Sequence, residues 1–156
     1  MNLQLTWVTP KSSAEVRAEC ARVAKIAHPH LPYDQYSYSL NDPVVESRTH
    51  ALIAKEENLP VGLTIIEAFR NVAWISWEEI SNKYTGPFDE NFHWTVSSLW
   101  VRDISRKKGI GRTMIVEAAL RLTVGVETLS FLAPFTLDAT AVLKKMFPEG
   151  VYVTFQ

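Results

Sequence analysis

Ser98-Leu99-Trp100-Val101-Arg102-Asp103-Ile104-Ser105-Arg106-Lys107-Lys108-Gly109-Ile110-Gly111-Arg112-Thr113 is the stretch on which the reading of this chain turns. It closes an apolar run, His93 to Val101, that reads as a strand. After the glycine turn, Met114, Ile115, Ala118, Ala119 and Leu122 recur on one side of a helix. A helix N-terminus presents unpaired backbone N–H groups and the positive end of the macrodipole, so a glycine turn leading into one can hold phosphate. Gly109 and Gly111 allow close approach, and Arg106, Lys107, Lys108 and Arg112 concentrate positive charge around them in a chain of net charge −1. The nucleotide motifs Gly-x-x-x-x-Gly-Lys-Ser/Thr and Gly-x-Gly-x-x-Gly are both absent, which disfavours ATP and NAD. Taken alone, such a turn is weak evidence, and solvated charged surface is its usual explanation.

Upstream, Leu3 to Val8 reads as a strand. A helix follows, with Ser12 and Glu15 at capping-box spacing and Val16, Cys20, Val23 and Ala27 as its apolar stripe. Cys20 in that stripe reads as a packing residue. The stretch from His28 to Pro43 reads as loop; His28 and His30 have no third ligand at a usable spacing, so no metal is expected. His50 to Lys55 and Pro60 to Phe69 read as a hairpin, and Val72 to Ile80 as the next strand. Downstream, Gly125 is the expected helix stop, Glu127 to Ala133 a strand, and Thr136 the cap of a helix burying Ala139, Val142, Leu143 and Met146. Val151 to Phe155 is the expected last strand. The order β-α-β-β-β-β-α-β-α-β implies an α/β (α+β) domain, a mixed sheet flanked by helices.

A chain of 156 residues with 47% hydrophobic and 21% charged residues suits one domain spanning 1–156. Near-neutral charge disfavours nucleic acid and an anionic membrane as partners, and no apolar run approaches a membrane span. A lone cysteine and a start without signal-peptide character make the cytoplasm the expected location. A homodimer is left open.

Ser98-Leu99-Trp100-Val101, four residues, then Arg-x-x-Gly-x-Gly and a helix, resembles the acetyl-CoA motif of the GNAT acetyltransferase superfamily. Pro60-Val61-Gly62 looks like the start of that family's third strand, and the resemblance covers most of the chain. It implies a centrally splayed sheet, with the strand of Ser97 to Val101 parting from that of Glu127 to Ala133. The exposed backbone at Leu99, Trp100 and Val101 would pair with pantetheine. The amides of Lys107 to Arg112, Ile110 among them, would wrap the pyrophosphate beside Arg106. The expected activity is transfer of an acetyl group from acetyl-CoA to a primary amine; the alternative is a noncatalytic acyl-CoA sensor.

Val96-Ser97-Ser98-Leu99-Trp100-Val101 with Arg106-Lys107-Lys108 is also similar to the catalytic domain of the sister-chromatid cohesion acetyltransferases. That resemblance implies Ser97 and, one residue out of step after Pro134, Asp138 as catalytic residues. With one cysteine among its 156 residues, no zinc finger is expected to accompany the motif. Where many members of the superfamily carry a tyrosine acid, this chain has Leu143. Acyl transfer needs a neutral amine, a polarised carbonyl and a proton for the thiolate. Ser97 could relay a proton through water and Asp138 could accept it. Tyr33, Trp74 and Glu78 are candidates for the acceptor side.

Overall fold

The computed structural model describes residues 2–29, 49–80, 84 and 86–155. Its elements are β1 (Leu3–Val8), α1 (Ala14–Ala27), β2 (Thr49–Glu56), β3 (Leu59–Phe69), β4 (Val72–Ser76), β5 (His93–Val101), α2 (Ile110–Leu122), β6 (Ser130–Leu132), α3 (Leu137–Met146) and β7 (Gly150–Thr154). They form one 7-stranded sheet in the order β1-β2-β3-β5-β6-β7-β4. The β5–β6 and β6–β7 pairs are parallel and the rest antiparallel. Mixed pairing with helical crossovers is the architecture expected from the element order.

Local chemistry sets most boundaries, with several shifts from the sequence reading. The cap of α1 is Ser13, whose hydroxyl accepts the Val16 N–H at 3.2 Å. Ser12 is already engaged, accepting the Thr9 N–H at 2.9 Å. Thr136 caps α3 as expected, accepting the Ala139 N–H at 3.1 Å. The stop of α2 is Thr123 in the left-handed region (φ 58°), two residues before Gly125, its N–H reaching the carbonyls of Ala119 and Leu120. Val126–Thr128 is a 3₁₀ turn, which leaves β6 only three residues.

The largest departure is β4, which ends at Ser76 rather than Ile80 and lies apart from β3, the strand before it. Both edges of β3 are occupied, by β2 and β5, so no ladder position is left for the strand that follows. Asn71, at φ 61°, turns the chain away, and β4 pairs with β7 at the far edge of the sheet. Gly150 makes that pairing possible, because a Cβ there would run into the Ile75 carbonyl and lie 2.9 Å from the Ser76 Cα.

The two faces of the sheet differ. On one, α1 packs Cys20, Val23 and Ala24 against Ala51, Ile53, Leu63 and Ile65. Cys20 is fully buried and its thiol is pushed up to about 12, chiefly by desolvation, so it is a packing residue. On the other face, α2 and α3 bury Ile115, Ala118, Ala119 and Leu143 against Ile66, Val96, Phe131, Val151 and Val153. Met114 and Ile110 complete a further cluster there with Leu52, Ala54 and Val61.

Candidate active site

At the middle of the sheet β5 changes character. Its register against β3 slips between Ile65 and Ile66, so that Ser98 pairs with Ile65 and Val96 with Ile66. Ser97 is the extra residue of this bulge, and its hydroxyl donates to the Ile65 carbonyl at 3.2 Å. A bulge bends its strand and resets the alternation of side chains. Trp94 and Val96 therefore lie on the α2/α3 face, as do Leu99 and Val101, whereas Ser98 and Trp100 lie on the α1 face.

The same point is where β5 and β6 part. Only Thr95 and Val96 pair with β6, opposite Ser130 and Phe131. From Ser97 to Val101 the edge of β5 that faces β6 has no strand partner, so its backbone can pair with something else. The expected splay is present at the expected residues.

The open end of the splay points to the turn into α2. Lys107 (φ 66°) and Gly109 (φ 79°) are both in the left-handed region, and Gly109 stands at the helix N-cap with no side-chain cap on the free N–H groups. A Cβ on Gly109 would meet nothing within 4 Å. Gly111 differs: its Cβ position faces Val101, Leu99 and Val142 at 3.8–3.9 Å, ordinary contact inside the wedge between β5 and α3. The sequence treated the two glycines alike; only Gly109 borders open space.

Cations ring this turn. Arg106 is held by three contacts: its Nε donates to the Val101 carbonyl at 3.1 Å, and it pairs with Asp103 at 3.0 Å and Asp138 at 2.8 Å. Lys108 lies 3.8 Å from Glu56. Among the described residues Lys107 and Arg112 form no ion pair, and both are exposed. Arrayed N–H groups at a helix start together with unpaired cations form an anion site.

The apex of the splay has a polar lining on the α1 face. Thr95, Ser130 and Thr154, contributed by β5, β6 and β7, are buried and bond to one another through their hydroxyls, the outer pair at 3.0 Å. Tyr152 follows on the same side, with its ring 4.7 Å from His93. Both His93 nitrogens are engaged, one with the Thr128 carbonyl at 3.1 Å and the other with Asp89 at 2.8 Å. Asp89 is held below the usual carboxylate range by the Asn91 N–H and by His93. His28, just past α1, lies 2.7 Å from the Ser98 hydroxyl.

The comparisons agree with this fold. No family model and no curated protein matches the sequence. Among solved structures, the xEco2 acetyltransferase domain bound to a CoA conjugate superposes with TM-score 0.72 at 21% identity, over 99% of this chain and 94% of that one. The chain has the GNAT acetyltransferase fold. Also similar to it are a ribosomal-protein-alanine N-acetyltransferase from Brucella melitensis biovar Abortus 2308 (TM-score 0.57, 16% identity, 94% and 90% covered) and aminoglycoside N-acetyltransferase AAC(6')-Iy with CoA (TM-score 0.60, 12% identity, 92% and 84% covered).

Within the GNAT fold the expected site residues separate into three groups. The residues expected to hold the donor lie near one another along the chain: Leu99, Trp100 and Val101 on the open half of β5, and Arg106 to Arg112 at the turn. Ser97 and Asp138 are not hydrogen-bonded to each other. Ser97 is tied to the β3 backbone, while Asp138, exposed in the first turn of α3, is tied to Arg106. Of the residues expected on the acceptor side, Trp74 is half exposed on β4, beside Tyr152 across the β4–β7 pair, and Glu78 is exposed in the turn after β4. Tyr33 lies outside the described residues. Leu143, which the resemblance sets against the superfamily tyrosine, is buried in the core.

The residues that sequence reasoning missed are His28, Ser98 as a side chain, and the Thr95–Ser130–Thr154 cluster. Ser98, Thr95, Ser130 and Thr154 share one signal, a hydroxyl inside an otherwise apolar strand, and His28 carries none. Which face they line depends on the bulge, and a bulge leaves no mark in a periodicity of two. Among the described residues there is no group of three His, Cys, Asp or Glu side chains that could hold a metal, and no helix long and apolar enough to cross a membrane.

Proposed function

We propose that this protein is an acetyl-CoA-dependent N-acetyltransferase acting by direct transfer to a primary amine. The observation that carries the reading is the pairing of an unpartnered β5 edge, Ser97 to Val101, with an uncapped helix start at Gly109 on the same open side of the sheet. A pantetheine arm is a linear amide chain that can complete a strand edge, and its pyrophosphate suits the N–H groups of Ile110, Gly111 and Arg112. The α2/α3 face beneath the apex is filled with apolar side chains, so the amine would enter from the hydroxyl-lined α1 face. Trp74, beside Tyr152, would border that side, with Glu78 in the turn that follows β4. Arg106 and Lys107 would supply charge to the phosphates, Lys108 likewise when released from Glu56. Asp138, through its ion pair, would hold Arg106 in place.

The test is a pair of measurements. Acetyl-CoA at millimolar concentration should raise Tm, because a ligand bound only by the native state stabilises it by mass action. Thiol release should then appear with at least one amine among spermidine, neamine and a lysine peptide. An unchanged Tm would remove the donor assignment. The buried Leu143 favours one second reading, a noncatalytic acyl-CoA sensor. Such a protein would show the Tm shift and no thiol release with any amine.

A further inference from the structure

We infer that Ser98 and His28 form the proton-accepting relay for the amine, an assignment that rests on the acetyltransferase reading above. Acyl transfer leaves an excess proton on the attacking nitrogen, and the protein must offer a base within hydrogen-bond reach of it. Most candidates at the site are already committed. Ser97 donates to the Ile65 carbonyl, Asp138 pairs with Arg106, His93 has both nitrogens engaged, and Leu143 has no titratable group. Thr95, Ser130 and Thr154 satisfy one another and contain no base.

Ser98 is placed differently. It is the first residue beyond the bulge, on the unpartnered half of β5 and on the α1 face, from which the amine would enter. Its strand position is fixed by the Thr64 hydroxyl, which donates to the Ser98 carbonyl at 2.8 Å. Its own hydroxyl lies 2.7 Å from Nε2 of His28, and both residues are half-buried, reachable from solvent. A hydroxyl is a poor base alone but a competent conduit when an imidazole takes its proton.

The step balances as follows. The amine nitrogen bonds to the thioester carbonyl carbon, giving a tetrahedral adduct with ammonium character. That nitrogen gives a proton to the Ser98 oxygen as the Ser98 proton moves to Nε2 of His28. Collapse breaks the C–S bond, the electron pair leaves on sulfur, and the imidazolium proton returns through Ser98 to the thiolate. The products are the amide and free CoA thiol.

The experiment compares wild type, His28→Gln and Ser98→Ala, with acetyl-CoA affinity by calorimetry and thiol release with spermidine, neamine, a lysine peptide and hydroxylamine. His28→Gln should bind acetyl-CoA as wild type does, lose about 10²-fold in kcat/KM with the alkylamines, and lack the acid limb of the wild-type pH profile. Ser98→Ala should lose as much, and the double variant little more, because both serve one path. The loss should be smaller with hydroxylamine, whose less basic nitrogen gives an adduct that sheds its proton more readily. Wild-type rates and an unchanged pH profile in His28→Gln, with acetyl-CoA bound, would overturn the relay alone. Acetyl-CoA binding without turnover of any of these amines would also overturn it, leaving a relay with nothing to serve. Failure of wild type to bind acetyl-CoA would reject the acetyltransferase reading itself.

Discussion

The two halves of β5 are built for different purposes. From His93 to Val96 the strand is paired with β3 throughout and with β6 at Thr95 and Val96, packs Val96 into the core beside Phe131, and satisfies the Thr95 hydroxyl within the sheet. From Ser97 to Val101 it is paired on one edge only, and the elements around it end in free N–H groups and unpaired cations. The bulge at Ser97 divides the two. In the first half the buried strand groups at Thr95 and Val96 already have their partners inside the protein, so substitutions there should cost stability. In the second half several groups lack one, so substitutions there should cost ligand binding or rate.

The contrast is tested hardest in the closed half. Phe131, buried on β6 with Phe147 5.8 Å away, anchors the last paired position before the splay. Phe131→Ala should destabilise the fold by about 3–5 kcal/mol. Urea unfolding of the ligand-free protein measures this, and a cost below about 1 kcal/mol would mean that the apex is not packed.

The next effect belongs to the open half. Gly109→Asp puts a carboxylate into the space beside the helix start, in a backbone region that Asp and Asn tolerate better than most residues. CoA affinity should fall at least about tenfold, roughly 1.4 kcal/mol, while Gly109→Asn, of nearly equal size and uncharged, should lose much less. Calorimetry on both variants decides. Equal affinities would place the phosphates elsewhere.

A smaller effect returns to the closed half. His50 packs between Trp7 and Trp94, its ring centroid 5.3 and 5.2 Å from theirs, with a buried Nδ1 that has no hydrogen-bond partner. Desolvation lowers its pKa from 6.5, so the fold holds the ring neutral while the unfolded chain protonates it. The stability this contributes is complete above pH 6.5 and declines as pH falls from there toward the folded-state value. His50→Phe should flatten that acid slope without disturbing the aromatic stack. Melting curves between pH 7 and about 5 give the comparison, and an unchanged slope would assign it to other groups.

The smallest effect is expected at Asp138. Its pair with Arg106 joins side chains 70% and 43% exposed, and such pairs contribute about 0–1 kcal/mol. Asp138→Asn should therefore change kcat/KM and CoA affinity by no more than about threefold. A loss near 10²-fold in kcat/KM with CoA affinity intact would instead make Asp138 the proton acceptor and displace His28.

What the sequence determined by itself is local. The strand-turn-helix of His93 to Leu122, the Thr136 cap and the burial of Cys20 follow from periodicity, turn chemistry and side-chain polarity, which act over a few residues. The turn's resemblance to an acetyl-CoA motif sufficed to anticipate the splayed sheet. Tertiary structure decided where β4 lies, because the edges of β3 were filled by strands distant in sequence and the short link at Arg70-Asn71 carries no trace of that competition. It also decided which half of β5 stays unpaired and which face each hydroxyl lines. One extra residue opposite Ile65 and Ile66 reverses the alternation from Ser97 onward, and through it Ser98 meets His28 from 70 residues away. Pairing across the sheet is settled by competition for hydrogen-bond edges over the whole chain, and no window of sequence contains all the competitors.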